Sequence, residues 1–457
     1  MQKVNRREMD LTSGSIFKKL FIYALPFMFT NLLQILFNAT DIAIVGIMVS
    51  DDAVAAVGAN TSLTGLLVNF FIGISIGSNI VLARYVGARN RESSRRTVGT
   101  SILLALVSGV ILLIIGVPCA ELFLKWMSCD PAILDKATTY LRIYFLGMPI
   151  MMVYNFSASI LRAVGDTKRP LIFLAIGGVA NVVLNVVFIL MGMTVEGVAL
   201  GTILSQLIAT ILTVRVLLKS DGYGSLRISH LRFFKKELNE ILAIGLPSAI
   251  QSLAFNISNV LIQGKINSFG KIGMSGSTTG QQFDAIIYNI GHAIAMSVMA
   301  FIGQNIGAKR PERVKQSIIA GAILSFIVVF SLGLLFAILA PTLCGIISKT
   351  PEVIEYASIR LTIMAITYFL CTEMEVLANA VRAMGKPVFA LIVSVLGASV
   401  FRISLLEFLF AMNPIYAVIF WTYPASWLFT ILIYLFVTPR VFKSMKKGLE
   451  TKKEIAE

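Results

Sequence analysis

Twelve apolar runs of about twenty residues or more leave this chain a choice of one solvent. They can be drawn at 17–48, 54–83, 97–118, 137–163, 171–191, 196–218, 239–263, 283–303, 317–340, 355–382, 388–411 and 414–437. At about 1.5 Å per residue, a helix of that length crosses a hydrocarbon layer about 30 Å thick. A backbone surrounded by lipid must satisfy its own hydrogen bonds, and a helix does so within one segment. The composition agrees: 57% of residues are hydrophobic and 14% charged, against a soluble balance of about 45–50% and 25%. The expected fold is therefore an all-α polytopic membrane protein of twelve transmembrane helices.

A net charge of +15 raises the question of a nucleic-acid partner, and the distribution of the charge answers it. Most of the Lys and Arg fall in alternate loops and at the two ends: Lys18 and Lys19, Arg89 to Arg96, Lys168 and Arg169, Arg227 to Lys236, Lys309 to Lys315, and Lys443 to Lys453. That alternation is the positive-inside pattern and predicts both termini in the cytoplasm of a multi-pass cell-membrane protein. The basic loops then face anionic lipid rather than nucleic acid. The first apolar run lacks a small-residue cleavage site and is too long for a signal peptide, so it is expected to remain as a helix. Cys119, Cys129, Cys344 and Cys371 show no CxxC spacing and indicate neither a metal site nor a disulfide framework, though Cys119 and Cys129 both fall on the outer side.

The chain repeats itself. Ala24-Leu25-Pro26 returns as Gly245-Leu246-Pro247, and Gly87-Ala88-Arg89 as Gly307-Ala308-Lys309. Pro131 returns as Pro351, and Arg162-Ala163-Val164-Gly165 as Arg382-Ala383-Met384-Gly385. All four offsets are 220 or 221 residues. Six helices separate equivalent points, so both copies enter the membrane from the same side as parallel repeats. The expected organisation is a six-helix lobe over 1–218, a cytoplasmic amphipathic linker over 219–240, a second six-helix lobe over 241–440 and a basic tail over 441–457, with a central cavity between the lobes.

Polar residues inside these runs are the candidate functional groups. Asn31, Gln34, Asn38 and Asp41 follow one another at steps of three, four and three, which puts them on one stripe of the first helix. A carboxylate in such a run costs about 2.5–3.5 kcal/mol on insertion scales and usually faces a cavity or a partner. Counted from Leu20, Asp41 lies in the outer half of the span, so a coupling acid and a hydrogen-bonded structural acid both remain open readings. Pro26, in the same run, is where a membrane helix bends. Asn181 and Asn185 are one turn apart on the fifth helix, and Thr202, Ser205 and Gln206 line the sixth. The seventh helix echoes the first stripe with Ser252, Asn256, Asn259 and Gln263, but Ile262 holds the place of Asp41.

Further charges in the second half are Asp284, His292, Glu373, Glu375, Arg402 and Glu407. Asp284 is expected near the outer end of the eighth helix, and Arg402 and Glu407 as a structural pair or near a helix end. Glu373 and Glu375, two residues apart, point to different faces. Asn256, Asn259, Asp284, Glu373 and Glu375, with Gln34 and Asn38, are candidates for a substrate or second-lobe polar site. The amide stripes have packing as an equal alternative role. Met148, Met151, Met152, Met191, Met193, Tyr144, Tyr154, Phe156 and Phe255 are candidate cavity lining or core. An absence of positive charge clusters at depth speaks against an anionic substrate.

With these features in place the chain resembles the multidrug and toxic compound extrusion family. The resemblance rests on the twelve-helix repeat, the first helix from Pro26 to Asp41, the two Gly-Ala-basic turns and Leu161-Arg-Ala-Val-Gly-Asp-Thr-Lys-Arg-Pro170, and it covers nearly the whole chain. It implies two six-helix lobes and secondary active multidrug efflux of organic, often cationic, compounds by antiport with H+ or Na+, with no cofactor. It puts the bent-helix proline on Pro26, the ion-binding acid on Asp41, the fifth-helix asparagine on Asn181 and a sixth-helix threonine on Thr202. Where some members carry a second acid, this chain has Asn185, and the family's second-lobe acid on the seventh helix is absent. The expected partners are small organic cations or drugs and membrane lipid, and the protein is expected to work as a monomer. A flippase for lipid-linked precursors is the alternative. An enzyme is not expected: there are two histidines, no HExxH, and no GxSxG on a strand-to-helix turn.

Overall fold

The computed structural model describes residues 8–127 and 129–454, so the first seven residues of the N-terminal lobe and the last three of the basic tail lie outside the described residues. The described chain is almost entirely helical. In order it runs α1 (Ile16–Met48), α2 (Asp51–Gly87), α3 (Arg91–Trp126), α4 (Pro131–Leu146), α5 (Met148–Ala163), α6 (Lys168–Leu190), α7 (Val195–Lys219) and α8 (Lys235–Asn267). It continues with α9 (Gly270–Gly307), α10 (Pro311–Ile338), the short α11 (Ala340–Ile347), α12 (Pro351–Ala383), α13 (Pro387–Val395), α14 (Arg402–Met412) and α15 (Tyr416–Glu454). Among the described residues, 11 helices are long and apolar enough to cross a membrane, and the α4–α5 pair makes up to 12.

That pair is bent by 51° around Gly147, where Pro149 has no N–H to give the carbonyl of Phe145. Helix starts follow local chemistry. Ser50 Oγ accepts from the Ala53 amide at 3.2 Å, Asn90 Oδ1 from Ser93 at 3.0 Å and Asp130 Oδ1 from Ala132 at 2.9 Å, each satisfying an otherwise orphaned N–H. Large apolar side chains stand outward, among them Val179, Leu190 and Phe436, each at least 65% exposed. Water would penalise such a surface and a bilayer does not.

The repeat reaches the backbone. Arg89 and Lys309, 220 residues apart, both take left-handed φ values, 55° and 54°, and each closes a helix: Arg89 N donates to Val86 O, and Lys309 N to Ile306 O, at 3.0 Å. Gly165 and Gly385, also 220 apart, sit at φ 93° and 94°. A left-handed turn of that kind strains a side chain with a Cβ, which is why both copies of the Arg-Ala-x-Gly motif end in glycine.

The helices group into two compact units. One holds residues 1–10 and 29–249, the other 11–28 and 250–457. The divisions fall inside α1 and inside α8, two residues beyond Pro26 and two beyond Pro247. In the first unit, a core around Leu141, Phe145, Met148, Met152 and Phe156 joins α3, α4, α5 and α7. Met151 and Tyr154 are buried too, so these residues are core, while Met191 is exposed. The start of α8 packs on α2 of the same unit through glycine: a Cβ on Gly77 would lie 2.1 Å from Ile241 O. In the linker, Leu226 is buried and Ile228 is 81% exposed. Phe234 N donates to Thr100 Oγ1 of α3 at 3.3 Å. In the second unit, Tyr23 of α1 meets Phe301 of α9 edge-on at 5.7 Å.

Before α1, Met9 N donates to Gly165 O at 3.3 Å, and Glu8 is tucked against Gly222, where a Cβ would lie 2.4 Å from Glu8 Oε1. Burial, then the Asp166 carboxylate, push the Glu8 carboxyl above its ordinary range, against the opposing pull of Arg169 and Arg91. Docking therefore raises the proton affinity of Glu8. Docking is strongest below the ordinary glutamate pKa and weakens as pH rises through the elevated value. Hydrogen exchange at Met9 is expected to speed up with rising pH beyond the intrinsic base-catalysed increase, and Glu8→Gln is expected to remove that excess. An unchanged excess in the variant would count against the assignment.

Candidate functional site

Three helices of the first unit converge on Asp41. The approach depends on missing side chains: a Cβ on Gly178 of α6 would lie 1.8 Å from Phe37 Cζ of α1, and one on Gly201 of α7 would lie 2.1 Å from Asn185 Oδ1. With those gaps filled by neighbours, Asn185 Nδ2 donates to Asp41 Oδ1 at 2.7 Å and lies 3.4 Å from Asn181 Oδ1. Asn181 Nδ2 in turn donates to Thr202 Oγ1 at 3.5 Å, and Thr202 Oγ1 donates to Val198 O at 2.9 Å. A polar chain thus runs α1–α6–α7 through the four residues singled out from sequence, Asp41, Asn181, Asn185 and Thr202. Asn185 is fully buried, and its Oδ1, like Gln206 Oε1, has no hydrogen-bond partner among the described residues. Buried amide oxygens without donors are unusual and suit a cation or a proton-bearing group. Tyr140 and Tyr144 of α4 lie within electrostatic reach of Asp41; Tyr140 was not singled out from sequence, since no spacing rule links α4 to α1.

The packing at Gly201 gives a direct test of the chain. Gly201→Ala is expected to displace the Asn185 amide and break its bond to Asp41, slowing transport roughly tenfold, at a folding cost of about 1–3 kcal/mol for overpacking. Initial transport rates in proteoliposomes, alongside a thermal unfolding curve, separate the two effects. Wild-type transport in the variant would dissociate Asn185 from the site's action.

Other residues of the Asp41 stripe behave differently. Asn31 is buried, while Gln34 and Asn38 are exposed. In α8, Asn256 Nδ2 donates to its own helix at Ser252 O, 2.8 Å away, and Asn259 is exposed. Neither pair joins the Asp41 cluster.

In the second unit, Asp284 lies well inside α9 rather than near an end, because that helix begins at Gly270. The stretch from Gly273 to Gly280 is too polar to extend the apolar run, yet its small residues let α9 and α12 touch: a Cβ on Gly276 would lie 2.4 Å from Tyr356 Cβ. Asp284 Oδ2 accepts from Arg360 Nε at 2.8 Å, and Arg360 Nη1 donates to Ser277 Oγ at 2.7 Å. Arg360 was not picked out from sequence. Its partner is 76 residues away, and no spacing rule links them.

Glu375 and Glu373 turn to opposite neighbours, as their spacing requires. His292 Nδ1 lies 2.9 Å from Glu375 Oε2, and Tyr288 OH donates to Glu375 Oε1 at 3.2 Å. Ser325 Oγ of α10 donates to Glu373 Oε1 at 2.6 Å. Arg402 and Glu407 do not pair: Glu407 takes Lys265 at 2.8 Å, and Arg402 Nε donates to Ser426 Oγ at 2.9 Å. All four cysteines are free.

The MatE family model matches the chain twice, over residues 26–187 and 247–406. The chain belongs to the MatE family. The two matched blocks coincide with the two copies of the repeat, and the family makes the chain a multi-pass membrane transporter and not an enzyme. Over 391 residues it is 27% identical to the probable multidrug resistance protein YoeA of Bacillus subtilis, covering 83% of this chain and 84% of that one. It is 22% identical to the FAD transporter of Shewanella oneidensis, covering 75% and 77%. Its fold matches the outward-facing structure of a multidrug resistance MATE family transporter with a TM-score of 0.88, at 20% identity, over 96% of this chain and 98% of the other. In this MatE chain Asp41, Asn181 and Asn185 fall within the first matched block, and Thr202 lies beyond its end.

Proposed function

We propose that this MatE protein is a secondary active multidrug exporter of organic compounds, cationic ones among them, that exchanges H+ or Na+ at Asp41. The observation that carries the reading is the 2.7 Å bond from Asn185 to Asp41, with the buried Oδ1 of the same Asn185 left without a donor among the described residues. Such a site offers a carboxylate and hard neutral oxygens to a small cation, and the same carboxylate can take a proton instead. Either ion neutralises Asp41, and Pro26, which lies inside α1, is proposed as the point at which that helix bends during transport. Ion entry from outside would close the outward state and release the substrate. The names of relatives support the class: one is a probable multidrug resistance protein and another an FAD transporter. The difference between those two names, multidrug resistance and FAD, argues for a tolerant site. The lipid-linked flippase gains no support from these matches. Both termini are proposed to be cytoplasmic, and the protein to act as a monomer in lipid.

The test is efflux of a fluorescent organic cation from proteoliposomes with H+ and Na+ gradients imposed separately. The gradient that drives accumulation names the ion. Failure of either gradient to drive any probe would sink the antiport reading.

A further inference from the structure

The second unit holds a buried guanidinium without an acid. Arg402, the first residue of α14, is only 6% exposed, and among the described residues no carboxylate comes within 4.0 Å of it. Its neighbours are neutral. Nε donates to Ser426 Oγ at 2.9 Å, and the guanidinium carbon stands 4.2 Å from the centre of the Tyr423 ring and 5.6 Å from that of Trp427. Arg360 of the same unit, by contrast, has Asp284 at 2.8 Å. A cation kept at membrane depth among hydroxyls, a thiol and ring faces, with no carboxylate within 4.0 Å among the described residues, is an arrangement that a ligand's negative charge would complete.

A second observation points to the same place. Arg402 follows directly on one wide π-helical turn, Leu396–Phe401, inserted between α13 and α14. Such turns are uncommon and recur at functional sites, because the added residue re-aims the side chains that follow. The ring faces around the guanidinium are also continuous. Tyr288 of α9 lies 6.2 Å from Tyr368 of α12, Tyr368 lies 5.5 Å from Trp427 of α15, and Trp427 lies 5.7 Å from Tyr423. Tyr423 is partly exposed, whereas Arg402, Tyr368 and Trp427 are buried.

We propose that Arg402, with the Tyr368–Trp427–Tyr423 ring wall, binds the carboxylate of a planar aromatic compound, so that the second unit accepts organic anions and zwitterions as well as cations. The fork geometry of arginine suits a carboxylate, and the rings take the flat body of the ligand. The sequence shows no cluster of positive charge at depth, and the proposal needs only this one guanidinium. The proposal rests on the exporter reading for its meaning, since it names a substrate class, but binding needs no ion gradient and is tested without one.

The experiment uses the purified full chain in detergent and two dyes that share a xanthene ring: carboxyfluorescein, an anion, and rhodamine 6G, a cation. Fluorescence anisotropy reads the Kd of each. Wild type is expected to bind carboxyfluorescein, and Arg402→Gln to weaken it roughly tenfold or more while changing rhodamine 6G less than about twofold. Arg402→Lys, which keeps the charge and loses the fork, is expected to fall between. If Arg402→Gln does not fold, Arg402→Lys decides: weaker carboxyfluorescein binding sustains the proposal and an unchanged Kd overturns it. No anion binding by wild type, or a folded Arg402→Gln with unchanged Kd, also overturns it, whatever the efflux assay reports about Asp41.

Discussion

Asp41→Asn is expected to abolish gradient-driven efflux while leaving the protein folded. The amide has the shape of the carboxylate and can still accept from Asn185 Nδ2, now 2.7 Å from Asp41 Oδ1, so the packing of α1 against α6 and α7 survives. What it loses is the capacity to change charge. The expected drop in gradient-driven rate is roughly tenfold or more, which corresponds to at least about 1.4 kcal/mol of lost coupling. Rates with and without a gradient, with unfolding followed in parallel, give the answer. A mutant that keeps its gradient dependence would move the coupling site elsewhere. Asp284, with its charge taken up by Arg360 at 2.8 Å, would be a poor successor, whereas Glu373 and Glu375 have only hydroxyl and imidazole partners among the described residues.

A single coupling acid also limits the work available. Moving one charge through 100 mV is worth about 2.3 kcal/mol. When one ion exchanges for one monovalent cation the charges cancel, and only the chemical gradient remains, about 1.4 kcal/mol per tenfold ratio. A zwitterion or an anion carried against the same ion would restore the electrical contribution. The proposed carboxylate site at Arg402 and the coupling site at Asp41 therefore bear on one another through stoichiometry.

The Asp41 cluster was legible because helical periodicity is local. Steps of three and four put Asp41 on one face of α1, and the one-turn spacing of Asn181 and Asn185 did the same on α6. Their meeting needed only that α1, α6 and α7 be neighbours, which the family resemblance implies and the repeat by itself does not. Periodicity says less about which part of a face is covered: Gln34 shares the face of Asp41 and is exposed. The glycines that admit the cluster, Gly178 and Gly201, carry no signal until a neighbour is known to fill their space. The start of α9 was hidden for a related reason. Small polar residues from Gly273 to Gly280 lower the hydropathy of a helix segment that is buried against α12, and hydropathy measures affinity for lipid, not for another helix. Arg360, Arg402 and their surroundings are long-range facts of the same kind, set by which helices pack together.

The Asp284–Arg360 pair carries the largest stability effect expected here. Asp284→Asn leaves the Arg360 guanidinium buried with Ser277 Oγ at 2.7 Å and the Phe420 ring at 5.3 Å as its remaining neighbours. Tyr368 OH, which reaches Asp284 Oδ1 at 3.4 Å, loses a charged acceptor as well. Breaking a buried pair from one side costs about 3–5 kcal/mol, because the partner charge stays in a low-dielectric site. Arg360→Met strands Asp284 in the same way and is expected to be comparably damaging. The double variant Asp284→Leu/Arg360→Met removes both charges at similar volume, and replacing a whole buried pair is often neutral or stabilising. Equilibrium unfolding of the purified protein should therefore give two strongly destabilised single variants and a double variant near wild type. Singles that unfold like wild type would mean that water or lipid headgroups reach the pair. A double variant as unstable as the singles would mean that the charges also organise Ser277, Tyr368 and Phe420. A stable double variant would then separate the pair's structural role from any part it has in transport, since efflux can be measured on a protein that no longer carries either charge.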